Sequence, residues 1–233
     1  METRSRGREN WADDKYITDW LDRQHDRTQE RERQFAMVRS LIPRDSSEDF
    51  RYIDIGCGDG WLDSFILARY PRAHAVLVDG SPLMLQRAEE RLKAHADRLT
   101  TVHVDLASSD WTASVPRPID VAVSTIAIHN LRDPLRIRTL YAEIYDLLSD
   151  GGFFMNLDYV RAAMPALREL ARRAAADPDA NYVARSTSGG NPGTIDEQLV
   201  WLREAGFTAT ECFWKEFNAA LFGGFKGSVR MPA

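Results

Sequence analysis

The sequence predicts an α/β fold: a seven-stranded, mostly parallel sheet with helices on both faces, an antiparallel terminal hairpin and an N-terminal helical cap. Three observations carry that expectation. From residue 50 onward, short apolar runs alternate with helix-length amphipathic segments. The first run is followed at once by three glycines at alternate positions, in YIDIGCGDGW at 52–61. Two further apolar runs end the chain, close enough together to pair as a hairpin.

Taken in order, residues 10–42 read as helical, with Trp11, Tyr16, Ile17, Trp20 and Leu21 forming an apolar stripe. The stripe gives way to DRQHDRTQERERQ, in which Arg23/Asp26 and Arg27/Glu30 are three apart and pair along a solvated face. Pro43 and RDSSED break the helix. The predicted strands are then FRYIDI, HAVLVD, TTVHVD, DVAVSTIAI and GGFFMNLD. Between them lie helices over WLDSFILARY, SPLMLQRAEERLKAHAD and DPLRIRTLYAEIYDLLSD. Beyond Asp158 the regularity changes. A helix over RAAMPALRELARRAAAD and a loop rich in Gly, Pro, Ser and Asn make residues 159–193 a candidate lid. Thr194 and Glu197 form a capping box for TIDEQLVWLREAG, which Gly206 ends. FTATECFWKEF and NAALFGGFKGSV are the terminal strands. The organisation expected is a cap over residues 1–43 and one domain over 44–233 that carries the insertion.

Composition narrows the partners. The chain has 233 residues, 44% of them hydrophobic, and a formal net charge of -5 with a pI of about 5.6. Basic and acidic residues are mixed, without the clustered basic face that nucleic acid requires. METRSRGREN lacks the apolar core of a signal peptide, and no apolar run approaches the ~20 residues needed to span a bilayer. Cys57 and Cys212 have no neighbouring Cys or His at ligand spacing, which argues against a disulfide framework and a zinc site. A cytoplasmic protein without a metal, a membrane or a nucleic-acid partner is the expectation; the oligomeric state stays open.

Gly56, Gly58 and Gly60 sit between a strand ending at Ile55 and a helix beginning near Trp61. Glycines there allow a tight turn and let a ligand lie against bare backbone, beside the unpaired N–H groups of a helix N-terminus. Asp79 ends the second strand 19 residues past Gly60, where an acid accepts the hydroxyls of a ribose. Asp105 ends the third predicted strand, placed to take an exocyclic amine. The loop reads G-x-G-x-G rather than the G-x-G-x-x-G of a pyrophosphate binder. Asp54 before it and Asp59 within it suit a ligand that carries positive charge.

With these features the sequence resembles the class I S-adenosylmethionine-dependent methyltransferases, over most of residues 50–227. DIGCGDG is similar to their first motif, VDGS to the acidic loop after the second strand, and VDLAS to the adenine-contacting segment. STIAIHNL is similar to the fourth-strand motif, LLSDGGFFMNLD to the fifth-strand entry, and LREAGF with FWKEFNAALFGGFK to the terminal hairpin. The resemblance implies a Rossmann-like sheet and S-adenosyl-L-methionine as cofactor. It implies that Gly56 and Gly58 line the methionine part and that Asp79, beside Gly80, holds the ribose. Asp105 and Leu106 would hold the adenine, and the Ser124 backbone carbonyl the methionine amine. The activity implied is methyl transfer to an O, N or S atom of a small-molecule acceptor.

His129, just past the fourth strand, is the candidate general base. Subgroups with this motif carry two histidines there, whereas here Asn130 follows His129. Tyr16 in the cap, and Asp158 and Tyr159 at the end of the fifth strand, are candidate acceptor contacts. The terminal segment is also similar to that of carboxy-S-adenosylmethionine synthases, in which an arginine precedes the leucine of L-x-x-A-G-F. Here that residue is Trp201, leaving Arg185 or Arg203 as substitutes. Enzymes that cyclise or cleave the cofactor, and a non-catalytic cofactor-binding partner, are the other readings.

Overall fold

A computed structural model describes residue 11, residues 13–24, 28–174 and 191–229, with the side chains of Arg23 and Gln24 outside the description. The sheet has seven strands: β1 (Arg51–Ile55), β2 (His74–Asp79), β3 (Leu99–His103), β4 (Ile119–Thr125), β5 (Leu148–Tyr159), β6 (Phe207–Glu216) and β7 (Ala219–Lys226). Their order across the sheet is β3-β2-β1-β4-β5-β7-β6. All neighbours are parallel except β7, which runs antiparallel to both β5 and β6. The mostly parallel sheet with its antiparallel terminal hairpin is therefore as the sequence predicts.

Alternation along the buried strands sends successive side chains to two separate cores. Tyr52, Ala75 and Leu77 face one side, where α2 (Thr28–Ser40), α3 (Trp61–Arg69) and α4 (Pro82–Arg91) supply Phe35, Ile66 and Leu85. Ile53, Ile55, Val76 and Val78 face the other, where α5 (Pro134–Leu147) and α7 (Ile195–Glu204) supply Ile137, Leu140, Ile144 and Leu202. Phe35 and Val38 of α2 belong to the same core as the sheet, so this part of the cap is packed into the body of the domain. Among the described residues, no helix is long and apolar enough to cross a membrane.

Several boundaries differ from the sequence reading, each for a local reason. The N-terminal helical stretch is two helices, α1 (Asp14–Gln24) and α2, with residues 25–27 outside the description. The long helix expected over 81–97 ends at Arg91, because Leu92 leaves helical geometry (φ -102, ψ 12), and continues as a 3-10 turn over Lys93–Arg98 kinked at His95. β4 stops at Thr125 rather than 128, because Ile126 takes a left-handed backbone (φ 54), which a β-branched residue adopts only when its surroundings force it. β3 stops at His103, so Asp105 stands in the following turn, where its Oδ1 accepts from the Ala107 N–H at 2.9 Å.

The capping box forms as read: Thr194 Oγ1 accepts from the Glu197 N–H at 3.2 Å, and Glu197 Oε2 accepts from the Thr194 N–H at 2.6 Å. Gly206 follows the helix end with φ 106. Of the expected lid, α6 (Pro165–Ala174) is described, and residues 175–190 lie outside the described residues. Arg161 closes the base of this insertion. Its N–H donates to the Gly193 carbonyl at 2.6 Å, and its guanidinium reaches Asn191 at 3.0 Å and Glu197 at 2.9 Å.

Candidate active site

The strand order reverses between β1 and β4, which splays the loops leaving their carboxyl ends and opens a crevice there. A cavity of about 470 Å³ occupies that crevice. Gly56, Cys57, Gly58 and Asp59 form its floor, Asp79 and Gly80 one end, and Val104 to Ala107 the adjoining wall. Thr125 to Ala127, Asn130 and Leu131 form the opposite wall. Trp11, just before α1, and Trp20, Arg31 and Phe35 of the N-terminal helices roof it.

The glycine loop is pinned from behind. Gly56 and Cys57 both donate to the Val78 carbonyl, at 2.8 and 3.1 Å. Gly56 is left-handed (φ 73), and a Cβ there would lie 2.3 Å from the Ala127 Cβ, so the two loops of the crevice touch through a bare Cα. Gly58 differs. It is also left-handed (φ 56), but a Cβ on it would meet nothing within 4 Å, since its Cα opens on the cavity.

Asp79 joins loop and strand. Its Oδ2 accepts from the Gly58 N–H at 2.9 Å, and its Oδ1 from the Ser81 N–H at 2.8 Å. Burial raises its pKa above the ordinary carboxylate value, and the backbone donors at Gly58, Ser81 and Gly80 oppose that rise. Each oxygen keeps a lone pair for a further donor, as a pair of ligand hydroxyls would supply.

Beneath the loop, Asp54 and Asp63 are both fully buried. The Tyr52 hydroxyl donates to Asp63 Oδ1 at 2.9 Å. Neither Asp54 oxygen, nor Asp63 Oδ2, has a donor from any other residue. A proton shared between the two carboxyls would pair one oxygen of each. Burial is the first cause that raises both pKa values, Asp54 well above the ordinary range and Asp63 to about 7.

Gly56, Gly58, Asp79, Gly80, Asp105 and Leu106, all singled out in the sequence, thus converge on one cavity. The others stand behind its wall. Asp54 lies under the loop, and the buried Ser124 side chain donates to the Ile55 carbonyl at 2.8 Å, tying β4 to β1. Tyr16 packs edge-on against Trp11, with ring centroids 5.3 Å apart. His129 is turned towards β5: Nδ1 lies 2.6 Å from Asp158 Oδ1, and the ring packs on Tyr159 at 5.0 Å. Thr125 and Asn130 are the polar residues of this motif that line the cavity, and the Asn130 Oδ1 is buried without a hydrogen-bond partner.

Sequence reasoning missed three contributors. Arg31 lies within a charge run that reads as solvated surface, yet it is only 8% exposed and lines the cavity. Arg136 braces the Asp105 loop, donating to the Leu106 carbonyl at 2.7 Å and the Ser108 carbonyl at 2.9 Å while paired with Glu143. Asn130 was passed over for its neighbour. No spacing rule marks the first two, because each acts across elements distant in sequence. Trp201, in the position that bears on the synthase reading, lies against Gly193 instead, and Arg203 donates to Thr210; neither lines the cavity. Arg185 lies outside the described residues. Among the described residues, no group of three or more His, Cys, Asp or Glu is placed to hold a metal ion.

Residues 53–154 match the family model described as a methyltransferase domain. A trans-aconitate 2-methyltransferase of Methylobacterium radiotolerans is 29% identical over 172 residues, covering 74% of this chain and 61% of that protein. An uncharacterized methyltransferase of Mycobacterium tuberculosis is 33% identical over 134 residues, covering 57% of this chain and 59% of that protein. The chain thus spans about 60% of the length of these curated relatives. In fold it is similar to an O-methyltransferase family protein from Burkholderia thailandensis, with a TM-score of 0.70 and 19% identity over 94% of this chain and 62% of that one. Sheet order, the glycine loop at the switch point and the methyltransferase domain matched over residues 53–154 agree, and together they support a class I S-adenosylmethionine-dependent methyltransferase.

Proposed function

We propose that the chain transfers a methyl group from S-adenosylmethionine to an O, N or S atom of a small-molecule acceptor. The observation that carries this reading is a single cavity with two unlike sides. One side is bare backbone and strand-end carboxylates; the other is a roof of aromatic rings from the N-terminal helices. The open Cα of Gly58 and the free lone pairs of Asp79 fit a nucleoside whose tail crosses the loop. In this reading Asp79 and Gly80 take the ribose, Asp105 and Leu106 the adenine, and Gly56 and Gly58 the methionine part. The Ser124 carbonyl takes the methionine amine, and the buried Asp54 supports the loop from beneath. The relative named for trans-aconitate supports an acceptor of small size.

The cofactor supplies an already activated methyl group on a sulfonium, so the protein's task is to align the acceptor and exclude water. Asn130, with its unpartnered Oδ1 on the wall, is the residue we assign to hold the acceptor's donor group. His129, Asp158 and Tyr159 act one layer back, fixing the loop that carries Asn130, and Tyr16 fixes Trp11. Incubation with methyl-labelled S-adenosylmethionine and a metabolite extract tests the reading. A labelled small molecule is the expected result. Cofactor that is consumed without any labelled acceptor would instead indicate cyclisation or cleavage, and no turnover a binding partner.

A further inference from the structure

The insertion after β5 carries a helix, α6, with no buried residue. Met164, Leu167 and Leu170 are 60%, 50% and 58% exposed, and with Ala171 and Ala174 they recur three and four apart as one apolar stripe. At about 100° per residue, Arg168 and Arg173 fall on the two borders of that stripe. The opposite face closes on itself, since Arg172 Nε and Nη2 donate to Glu169 at 2.8 and 2.6 Å. α6 is the most sharply two-faced of the described helices. A single exposed leucine needs no partner, whereas three large apolar side chains on one face, bordered by arginines, mark an interaction surface. The helix leaves the carboxyl end of β5, the edge of the sheet that carries the crevice, and Arg161 ties its base to Asn191, Gly193 and Glu197. Phe217, 41% exposed at the tip of the β6–β7 hairpin, stands at the same end, because the neighbouring Asn218 carbonyl accepts from the Val160 N–H at 2.7 Å. In a two-fold pairing of α6 with itself, both borders would bring arginine against arginine. An apolar centre with a basic border on each side instead suits a helix lying flat in a lipid interface, where phosphates meet the arginines. The formal charge of -5 on the whole chain does not prevent this, because charges beyond a screening length of about 8 Å act weakly.

We propose that α6 is an interfacial helix that docks the protein on a bilayer of anionic phospholipid. Met164, Leu167 and Leu170 enter the acyl boundary, and Arg168 and Arg173 lie among the headgroup phosphates. This goes beyond the methyltransferase reading and does not need it. The docked protein is held by the edge of the sheet that carries the crevice.

Sedimentation of the full chain with vesicles tests the docking. The vesicles are phosphatidylcholine alone and an equal mixture of phosphatidylcholine and phosphatidylglycerol. The wild type should bind the mixed vesicles at least about tenfold more tightly than the neutral ones, and added salt should weaken that binding. L167S combined with L170S should weaken binding to the mixed vesicles at least about tenfold. R168Q combined with R173Q should bring the two vesicle types within about threefold of each other. Both pairs replace exposed side chains, so the melting temperatures should stay with the wild type's. A wild type that binds neither vesicle overturns the proposal, and so does an L167S/L170S protein that binds as the wild type does. Serines that change affinity for S-adenosylhomocysteine but leave lipid binding alone would mean that α6 closes on the protein's own cavity, which also overturns it. Lipid binding is read without turnover, so failure of methyl transfer and failure of this surface are seen separately.

Discussion

His129 gives both its backbone N–H and its imidazole to one carboxylate: the N–H donates to Asp158 Oδ2 at 2.9 Å, and Nδ1 lies 2.6 Å from Asp158 Oδ1. Asp158 is 4% exposed and also accepts from the Tyr159 N–H at 2.8 Å, so it clamps the 126–131 loop to the end of β5. We propose that a histidine held this way braces Asn130. His129→Ala and Asp158→Asn should therefore each lower the melting temperature and weaken acceptor binding, while kcat falls by less than about tenfold. The acidic limb of the pH–rate profile should be the same in His129→Ala as in the wild type. A fall of roughly 10²–10⁴-fold in kcat with loss of that limb would make His129 a general base instead.

Gly56 and Gly58 share a left-handed backbone and should still respond differently to alanine. Both variants bear the strain of an L-residue at positive φ, about 1–2 kcal/mol. Only Gly56→Ala also drives a Cβ to 2.3 Å from Ala127, so it should lose several kcal/mol or fail to fold. Gly58→Ala should fold, with a melting temperature a few degrees lower, and lose affinity for S-adenosylhomocysteine because its methyl projects into open cavity. Equal stability of the two, measured by thermal denaturation, would contradict the close approach of the two loops.

Much of this was legible in the chain. Apolar runs such as HAVLVD can only be buried on both faces, and the capping box at Thr194 marks a helix start by local hydrogen bonding alone. The floor of the site was legible for the same reason, since three alternate glycines and an acid at a strand end are local signals. The roof was not. Arg31 sits in a run of charges whose solvated reading is the commoner one, and only the packing of Trp20 and Phe35 around it shows its burial. That Asn130 rather than His129 lines the cavity follows a left-handed turn at Ile126, which no periodicity announces.

The ribose contact proposed for Asp79 would use a carboxylate that also holds the loop, since its two oxygens accept from the Gly58 and Ser81 N–H groups. Asp79→Asn replaces one acceptor by a donor and leaves one of those N–H groups facing another N–H. It should lower stability by about 1–3 kcal/mol and reduce affinity for S-adenosylhomocysteine at least about tenfold, both read on the same protein by denaturation and calorimetry. Affinity equal to the wild type would remove Asp79 from the ribose site.

The last prediction concerns the carboxyl pair beneath the loop. Burial raises the pKa of Asp54 well above the ordinary range and that of Asp63 from 3.8 to about 7. A raised folded-state pKa means that the folded protein holds a proton the unfolded chain has already released. The stability this proton provides is complete below the unfolded value of 3.8 and is lost as pH rises through about 7. Asp63→Asn keeps an oxygen for the Tyr52 hydroxyl, which donates at 2.9 Å in the wild type, and offers Asp54 a permanent donor without a charge. Between pH 6 and pH 8.5 the wild-type melting temperature should fall by at least about 3 °C relative to the variant's, the size of a 1 kcal/mol loss in a chain of this length. Groups elsewhere titrate equally in both proteins and cancel in the difference. Curves that stay parallel across this range would mean that the pair does not hold a proton near neutral pH.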